Sequence, residues 1–380
     1  MRKTAIDVVV VGGGVIGLSV GWRAAQRGLR VTVIERDEPG GGTSRVAAGM
    51  IGPISEARTT ERPLLDLALQ SARSYYAFVT ELAAESGVDP RYLPCGTLAT
   101  ARDADEAEAL ERELALRREL GLDVRRLRPS EARRLEPALA PTMRLALEVP
   151  DDHAIDPRAL LDALAAAFVH AGGELRGRAE VAEVLVGGGE RVEGVRMSSD
   201  EVVYAENVVL AAGVWTASLR GLPEHARIPI HPVKGQIMRL HDPSGSGLLT
   251  HAVRMQRGGY VVPRGDGRYV LGATVEERGF DRTVTAGALF ELLRDAVELV
   301  PGLGELVVDE LSAGLRPATP DNAPVVGPGA LAGLHWATGH YRHGILLAPI
   351  TASIALECLE GAQPPAALTP ARFADAQVAV

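Results

Sequence analysis

Asp7-Val8-Val9-Val10-Val11-Gly12-Gly13-Gly14-Val15-Ile16-Gly17 opens the chain's first interpretable stretch, and its reading decides the fold. Four consecutive valines suit a parallel strand buried on both faces, and the glycines that follow end it in a tight turn. Small and apolar residues from Val15 to Ala25 then predict a helix, Gly28 a C′ residue, and Val31 to Ile34 a second strand. Glu35 closes that strand. Glycines at 12, 14 and 17 let a backbone approach a pyrophosphate, the helix N-terminus offers N–H groups to the anion, and Glu35 can accept from a ribose diol. A glycine triplet alone would serve equally well as a plain turn. Strand, helix and acidic residue together specify a dinucleotide site and leave open whether the dinucleotide is NAD or FAD.

The rest of the chain narrows the class. With 380 residues, 46% hydrophobic and 23% charged, the composition is that of a folded globular protein. Lys plus Arg number 40 against 49 Asp plus Glu, a net charge of -9, which disfavours nucleic acid as a partner and favours a small molecule. Two cysteines, Cys95 and Cys358, make neither a metal cage nor a disulfide framework, so no metal is expected and a reducing, cytoplasmic setting is. No apolar run reaches the length of a membrane span. Met1-Arg2-Lys3 before the valines resembles a signal peptide, but Gly12 to Gly14 cut the apolar run short, and we read it as folded protein.

Spacing of apolar residues predicts a long helix from Glu61 to Gly87, a charged helix from Asp103 to Gly121, and a helix capped by Asp156-Pro157 that ends near Gly172. Short strands are expected at Val181 to Val186, Val192 to Met197 and Val202 to Tyr204, with a separate buried strand from Asn207 to Ala212. Strand and turn dominate Ile228 to Ala273; helices follow at Thr285 to Val300 and Gly344 to Glu360. The pattern is α/β with an antiparallel insertion.

Three further segments bear on the ligand. Gly40 to Met50 is a small-residue loop that permits close approach to a flat ring, or is a linker. Asn207 to Gly213 ends in small residues, and Gly339-His-Tyr-Arg-His-Gly344 leads into an apolar helix whose N-terminus can face an anion. With Gly12-x-Gly14-x-x-Gly17, Thr43-Ser44-x-x-Ala47-Ala48-Gly49-Met50, Gly314 to Pro324 and Gly339 to Pro349, the chain resembles the FAD-dependent amine oxidases, the family that includes glycine oxidase, D-amino-acid oxidase and monomeric sarcosine oxidase. The stretch Thr319-Pro320-Asp321-Asn322 is of the glycine oxidase kind.

The resemblance covers essentially the whole chain and implies a Rossmann-type FAD-binding domain with a parallel sheet (1–88, 150–220 and 314–380) plus an antiparallel-sheet substrate domain with helices (89–149 and 221–313). It implies noncovalent FAD, because neither Cys95 nor Cys358 matches the position of a sarcosine oxidase linkage. The cofactor would be held by Gly12, Gly14, Val15, Ile16, Gly17, Glu35, Arg36, Thr43, Ser44, Ala48, Gly49, Met50, Val181, Ala212, Gly213, His340, Tyr341, Arg342, His343, Gly344, Ile345 and Leu346. Arg316, Tyr260 and Arg342 would bind a small amino acid. The implied reaction oxidises glycine to its imine at the expense of O2; the alternatives are an oxidase or dehydrogenase of sarcosine, N-alkylglycines or D-amino acids and, from another class, a flavin-binding protein without turnover. A homo-oligomer is expected, with thiazole synthase a partner for the imine.

Chemically, a guanidinium gives a carboxylate a bidentate fork that stays charged. Each residue also has a plainer role open to it: an Arg316–Asp321 ion pair, a surface Arg342, a core Tyr260. His340 and His343 are candidate bases, although a loop lying on the cofactor accounts for both.

Overall fold

In a computed structural model of the chain, residues 6–57, 62–257 and 259–373 are described. Met1 to Lys3, Glu61 at the expected start of the long helix, and Gly258 beside Tyr260 lie outside them.

The opening unit folds as the glycine turn dictates. β1 (Ile6–Val11) leads into α1 (Val15–Gln26) and returns as β2 (Val31–Ile34). Val8 and Val10 face one core cluster, and Val9 and Val11 the other, so the strand is buried on both sides. Gly28, at φ +80°, donates to Ala25 O and closes α1 in the left-handed region. Parallel pairing places five strands in the order Leu334–Thr338, Val202–Leu210, β1, β2 and Glu174–Arg176. Helices α1, Arg62–Ser86, Pro157–His170 and Gly344–Leu359 pack together on one face. Antiparallel strands Val181–Gly187 and Arg191–Met197 adjoin Val202–Leu210 and supply core residues to the other cluster.

The separate strands expected at Val202 to Tyr204 and Asn207 to Ala212 are one strand, Val202–Leu210. Its first half pairs antiparallel with Arg191–Met197 and its second half parallel with β1, passing from one kind of pairing to the other without a turn. Tyr204 and Glu206 face solvent between buried Val203, Ala205 and Val208, and this alternation broke the apolar run in the sequence. The charged segment is a helix, Ala104–Glu119, capped by Asp103, whose side chain accepts from Glu106 N–H; Leu110 and Leu114 are its buried stripe. Asp156 caps Pro157–His170 as anticipated.

A second sheet of eight strands runs in the order Val307–Ala318, His231–His241, Arg268–Gly272, Tyr260–Pro263, Ala252–Met255, Thr97–Ala101, Leu145–Val149 and Arg125–Leu127. All pairs are antiparallel except Ala252–Met255 with Thr97–Ala101. Position 314 lies inside the twelve-residue strand Val307–Ala318. A small sheet of Met50–Ile51, His153–Ile155 and Tyr92–Leu93 adjoins the loop from Gly40. Among the described residues, no helix is long and apolar enough to cross a membrane.

Candidate active site

A cavity of about 760 Å³ lies where the glycine turn, the 40–50 loop, the end of Val307–Ala318 and the 339–344 loop converge. Every site residue named from the sequence lines it except Gly17. A Cβ at Gly17 would come within 1.9 Å of Gly12 O, so this glycine permits the turn to pack on α1 and does not face the cavity.

The glycine-turn end is built mainly from backbone. α1 makes its first intrahelical bond from Leu18 N–H to Gly14 O, which leaves the N–H groups of its first turn directed out of the helix end. Val15 N–H donates to Ser44 Oγ at 3.1 Å and thereby ties the helix to the 40–50 loop. Thr43 Oγ1 donates to Leu315 O at 2.8 Å, pinning the other side of that loop to the long strand. Glu35 accepts from Gly13 N–H at 2.7 Å through Oε2 and from Asp37 N–H at 3.0 Å through Oε1. Each carboxylate oxygen keeps a free lone pair for a diol. Cβ atoms built on cavity-lining Gly42 and Gly213 would meet nothing within 4 Å, so both glycines face open space. Arg36 lies 3.8 Å from the ring centroid of Trp215, a cavity residue that the sequence reading missed. Its only signal was its place two residues after Gly213.

Side chains dominate the other end. Arg316 Nη1 donates to Lys234 O at 3.2 Å and to Thr274 O at 3.0 Å, and its guanidinium covers Gly235, where a Cβ would sit 2.4 Å from Nη2. These carbonyls orient the fork without neutralising it; among the described residues no carboxylate forms an ion pair with Arg316. Asp321, the alternative partner, instead binds Arg372 at 2.8 Å. Tyr260 lines the cavity beside Arg316, and burial pushes its phenol upward against the opposing pull of that guanidinium, so it is a neutral O–H donor. Arg342 is no surface residue: its Nε lies 3.7 Å from Glu56, and His343 Nδ1 lies 3.5 Å from the same carboxylate. Glu56 is a second residue missed from the sequence, as is the Arg254–Glu113 pair at 3.1 Å.

His340 is buried and bonded through Nε2 to Thr351 Oγ1 at 2.9 Å. Burial first, and nearby His343 second, push it down to about 3, which keeps the ring neutral and suits a structural contact better than proton transfer. The helix Gly344–Leu359 makes its first bond from Leu347 N–H to His343 O, so Gly344, Ile345 and Leu346 present their N–H groups at the cavity end. Among the described residues no group of side chains could hold a metal, and neither Cys95 nor Cys358 lines the cavity.

A family model described as FAD dependent oxidoreductase matches residues 7–357. The chain belongs to that family. Among its curated relatives, the FAD-dependent oxidoreductase is 36% identical over 356 residues to glycine oxidase from Geobacillus kaustophilus, covering 93% of each chain. The crystal structure of glycine oxidase from that organism superposes with a TM-score of 0.88 at 35% identity, covering 97% of both chains. The bifunctional protein ThiO/ThiG of Trichormus variabilis is 35% identical over 92% of this chain and 52% of its own length. These likenesses bear out the α/β architecture and FAD as the cofactor of this family member, and the residues present fit the group: a glycine turn and helix end for a pyrophosphate, Glu35 for a ribose, and open space over Gly42 and Gly213.

Proposed function

We propose that this FAD-dependent oxidoreductase oxidises glycine to its imine, which hydrolyses to glyoxylate and ammonia. The observation that carries the reading is the Arg316 guanidinium, oriented by two carbonyls and paired with no carboxylate, in the same cavity as the dinucleotide turn. A half-buried cation of this kind, lining a cavity, is well placed to meet an anion, and the carboxylate of an amino acid supplies one. Tyr260 adds a neutral O–H donor beside it. Gly12, Gly14, Val15 and Ile16 with Ser44 and Glu35 would hold noncovalent FAD at one end; Ala48, Gly49, Met50 and residues 340–346 would hold it at the other. When bound, FAD would supply the two-electron chemistry, a hydride acceptor for the amine's Cα–H with O2 as the final oxidant, reduced to H2O2. The chain's own part is to anchor the carboxylate, so that the Cα–H of a ligand with almost no apolar surface meets the cofactor in one orientation. The first turn of Gly344–Leu359 directs N–H groups and a positive dipole end into the cavity, favouring negative charge there.

In this reading the FAD-binding parts are 1–88, 150–220 and 314–380 and the substrate-binding parts 89–149 and 221–313. A consuming enzyme for the imine, thiazole synthase, agrees with the existence of bifunctional ThiO/ThiG relatives, and a reducing, cytoplasmic setting agrees with two unpaired cysteines; a homo-oligomer is part of the same reading. The test is anaerobic: glycine added to the yellow protein should bleach its flavin, with sarcosine and D-alanine slower, and O2 should restore the colour with one H2O2 per glycine. Flavin that none of the three amines bleaches would remove the proposal.

A further inference from the structure

Against the 43–50 loop, but outside the cavity lining, the structure holds cations that substrate binding does not use. Arg264 follows the strand Tyr260–Pro263 and donates from Nη2 to Ala48 O at 2.7 Å and from Nη1 to Ile155 O at 3.0 Å. Its Nε is sealed from solvent and has no acceptor. Among the described residues no carboxylate forms an ion pair with it. Burial pushes the group down to about 10, and Asp156 is the main carboxylate acting in the other direction. Arg239, beside it, donates to Arg45 O at 2.8 Å and shares Glu310, at 4.0 Å, with the closer Arg158, so unlike Arg264 it has a carboxylate at ion-pair distance.

Ala48 and Gly49 line the cavity; Arg264 does not. A trans peptide holds its C=O and the following N–H antiparallel. Drawing Ala48 O onto Arg264 therefore turns Gly49 N–H away from that arginine, which is itself outside the cavity lining. The arrangement requires glycine at 49, where φ is +80° and a Cβ would fall 2.0 Å from Ile155 O. The peptide is a dipole polarised from behind by a cation, its positive end forward. A partly buried guanidinium without a counter-ion costs stability, and such a charge is well placed where negative charge develops during reaction.

We propose that Arg264, acting through the Ala48–Gly49 peptide, sets the electron affinity of the bound flavin by favouring the reduced, negatively charged ring over the oxidised, neutral one. The inference rests on FAD occupying this cavity. Arg264 is a positioning residue, since it touches neither substrate nor cofactor.

The experiment measures the midpoint potential of FAD-loaded protein by equilibration with reference dyes, with FAD retention recorded separately. Arg264→Gln keeps a donor for Ala48 O and removes the charge; its reduction equilibrium constant should fall roughly tenfold, about 30 mV for a two-electron couple. Arg264→Lys keeps the charge and should stay near the wild-type value. Asp156→Asn preserves the helix cap but withdraws the opposing carboxylate, and should raise the constant about threefold. Looser FAD with unchanged potential in Arg264→Gln would mean that the arginine only braces the loop, and would overturn the proposal. If that variant holds no FAD even when saturated, Asp156→Asn decides, and an unshifted potential there overturns it too. A wild-type chain that binds no FAD would instead remove the cofactor reading beneath it.

Discussion

The two ends of the cavity are built by different means. At the glycine turn, contiguous residues 12–16 bring backbone N–H groups to one place, and two distant side chains complete the arrangement, Glu35 through Gly13 N–H and Ser44 through Val15 N–H. At the other end, Arg316, Tyr260, Arg342 and Glu56 come from separate segments, and their positions depend on what braces them: Lys234 O and Thr274 O for Arg316, and the Glu56 carboxylate for Arg342. A site made of backbone tolerates side-chain change except where a Cβ would collide. A site made of charged side chains concentrates its binding energy in one or two groups. The largest losses of function are therefore expected at the substrate end, through single substitutions.

Arg316→Ala should show this most strongly. It removes about 3–4 kcal/mol of charged hydrogen bonding to the carboxylate, so kcat/KM for glycine should fall by roughly two to three decades while FAD content stays near wild type. Arg316→Lys should lose less, keeping the charge without the fork. Near-normal kcat/KM in the alanine variant would transfer the anchor to Arg342. Glu35→Ala is the corresponding probe at the other end. It takes away the ribose acceptor and also the partner of Gly13 N–H, and FAD should bind more weakly by about 1.5–3 kcal/mol in a fluorescence titration. With FAD saturating, its kcat/KM for glycine should be close to wild type. Loss of turnover at saturation would break the division between the two ends.

The same division explains how much was legible in the sequence. β1, α1 and β2 were readable because a buried parallel strand, a glycine turn and an amphipathic helix each leave a local pattern. The 40–50 and 339–344 loops were found through motifs, and Arg316 through its place in one. Trp215 and Glu56 carry no local pattern. They become site residues only because the turn after Val202–Leu210 and the segment after Met50–Ile51 end at the same cavity. Arg264 is hidden more deeply, since its contact is to carbonyls of residues more than one hundred positions away. Gly17 errs the other way: the motif names it with Gly12 and Gly14, but its lack of a side chain serves helix packing.

The smallest effect should come from the ion pair that could have involved Arg316. Asp321 bonds to Arg372 at 2.8 Å and also accepts from Ala323 N–H and Thr319 Oγ1, inside the 314–324 segment that first suggested the family. Burial is the largest influence and works to raise its pKa, but Arg372 together with the Ala323 and Thr319 hydrogen bonds outweighs it and the net shift is downward. A carboxylate lowered in the folded state contributes stability that is fully present above its unfolded value, about 3.9, and is lost as pH falls through the lower folded value. The Asp321 side chain is 43% exposed, so solvent screening limits the pair to below about 1 kcal/mol. Asp321→Asn should therefore melt slightly below wild type at pH 7, and the gap in Tm should close as pH falls below about 4. Its kcat/KM for glycine should stay within about twofold of wild type, because Arg316 keeps both carbonyl contacts without it. A large loss of turnover with little change in Tm would show that Asp321 governs Arg316 after all, and that the substrate end reaches beyond the cavity wall into the turn behind it.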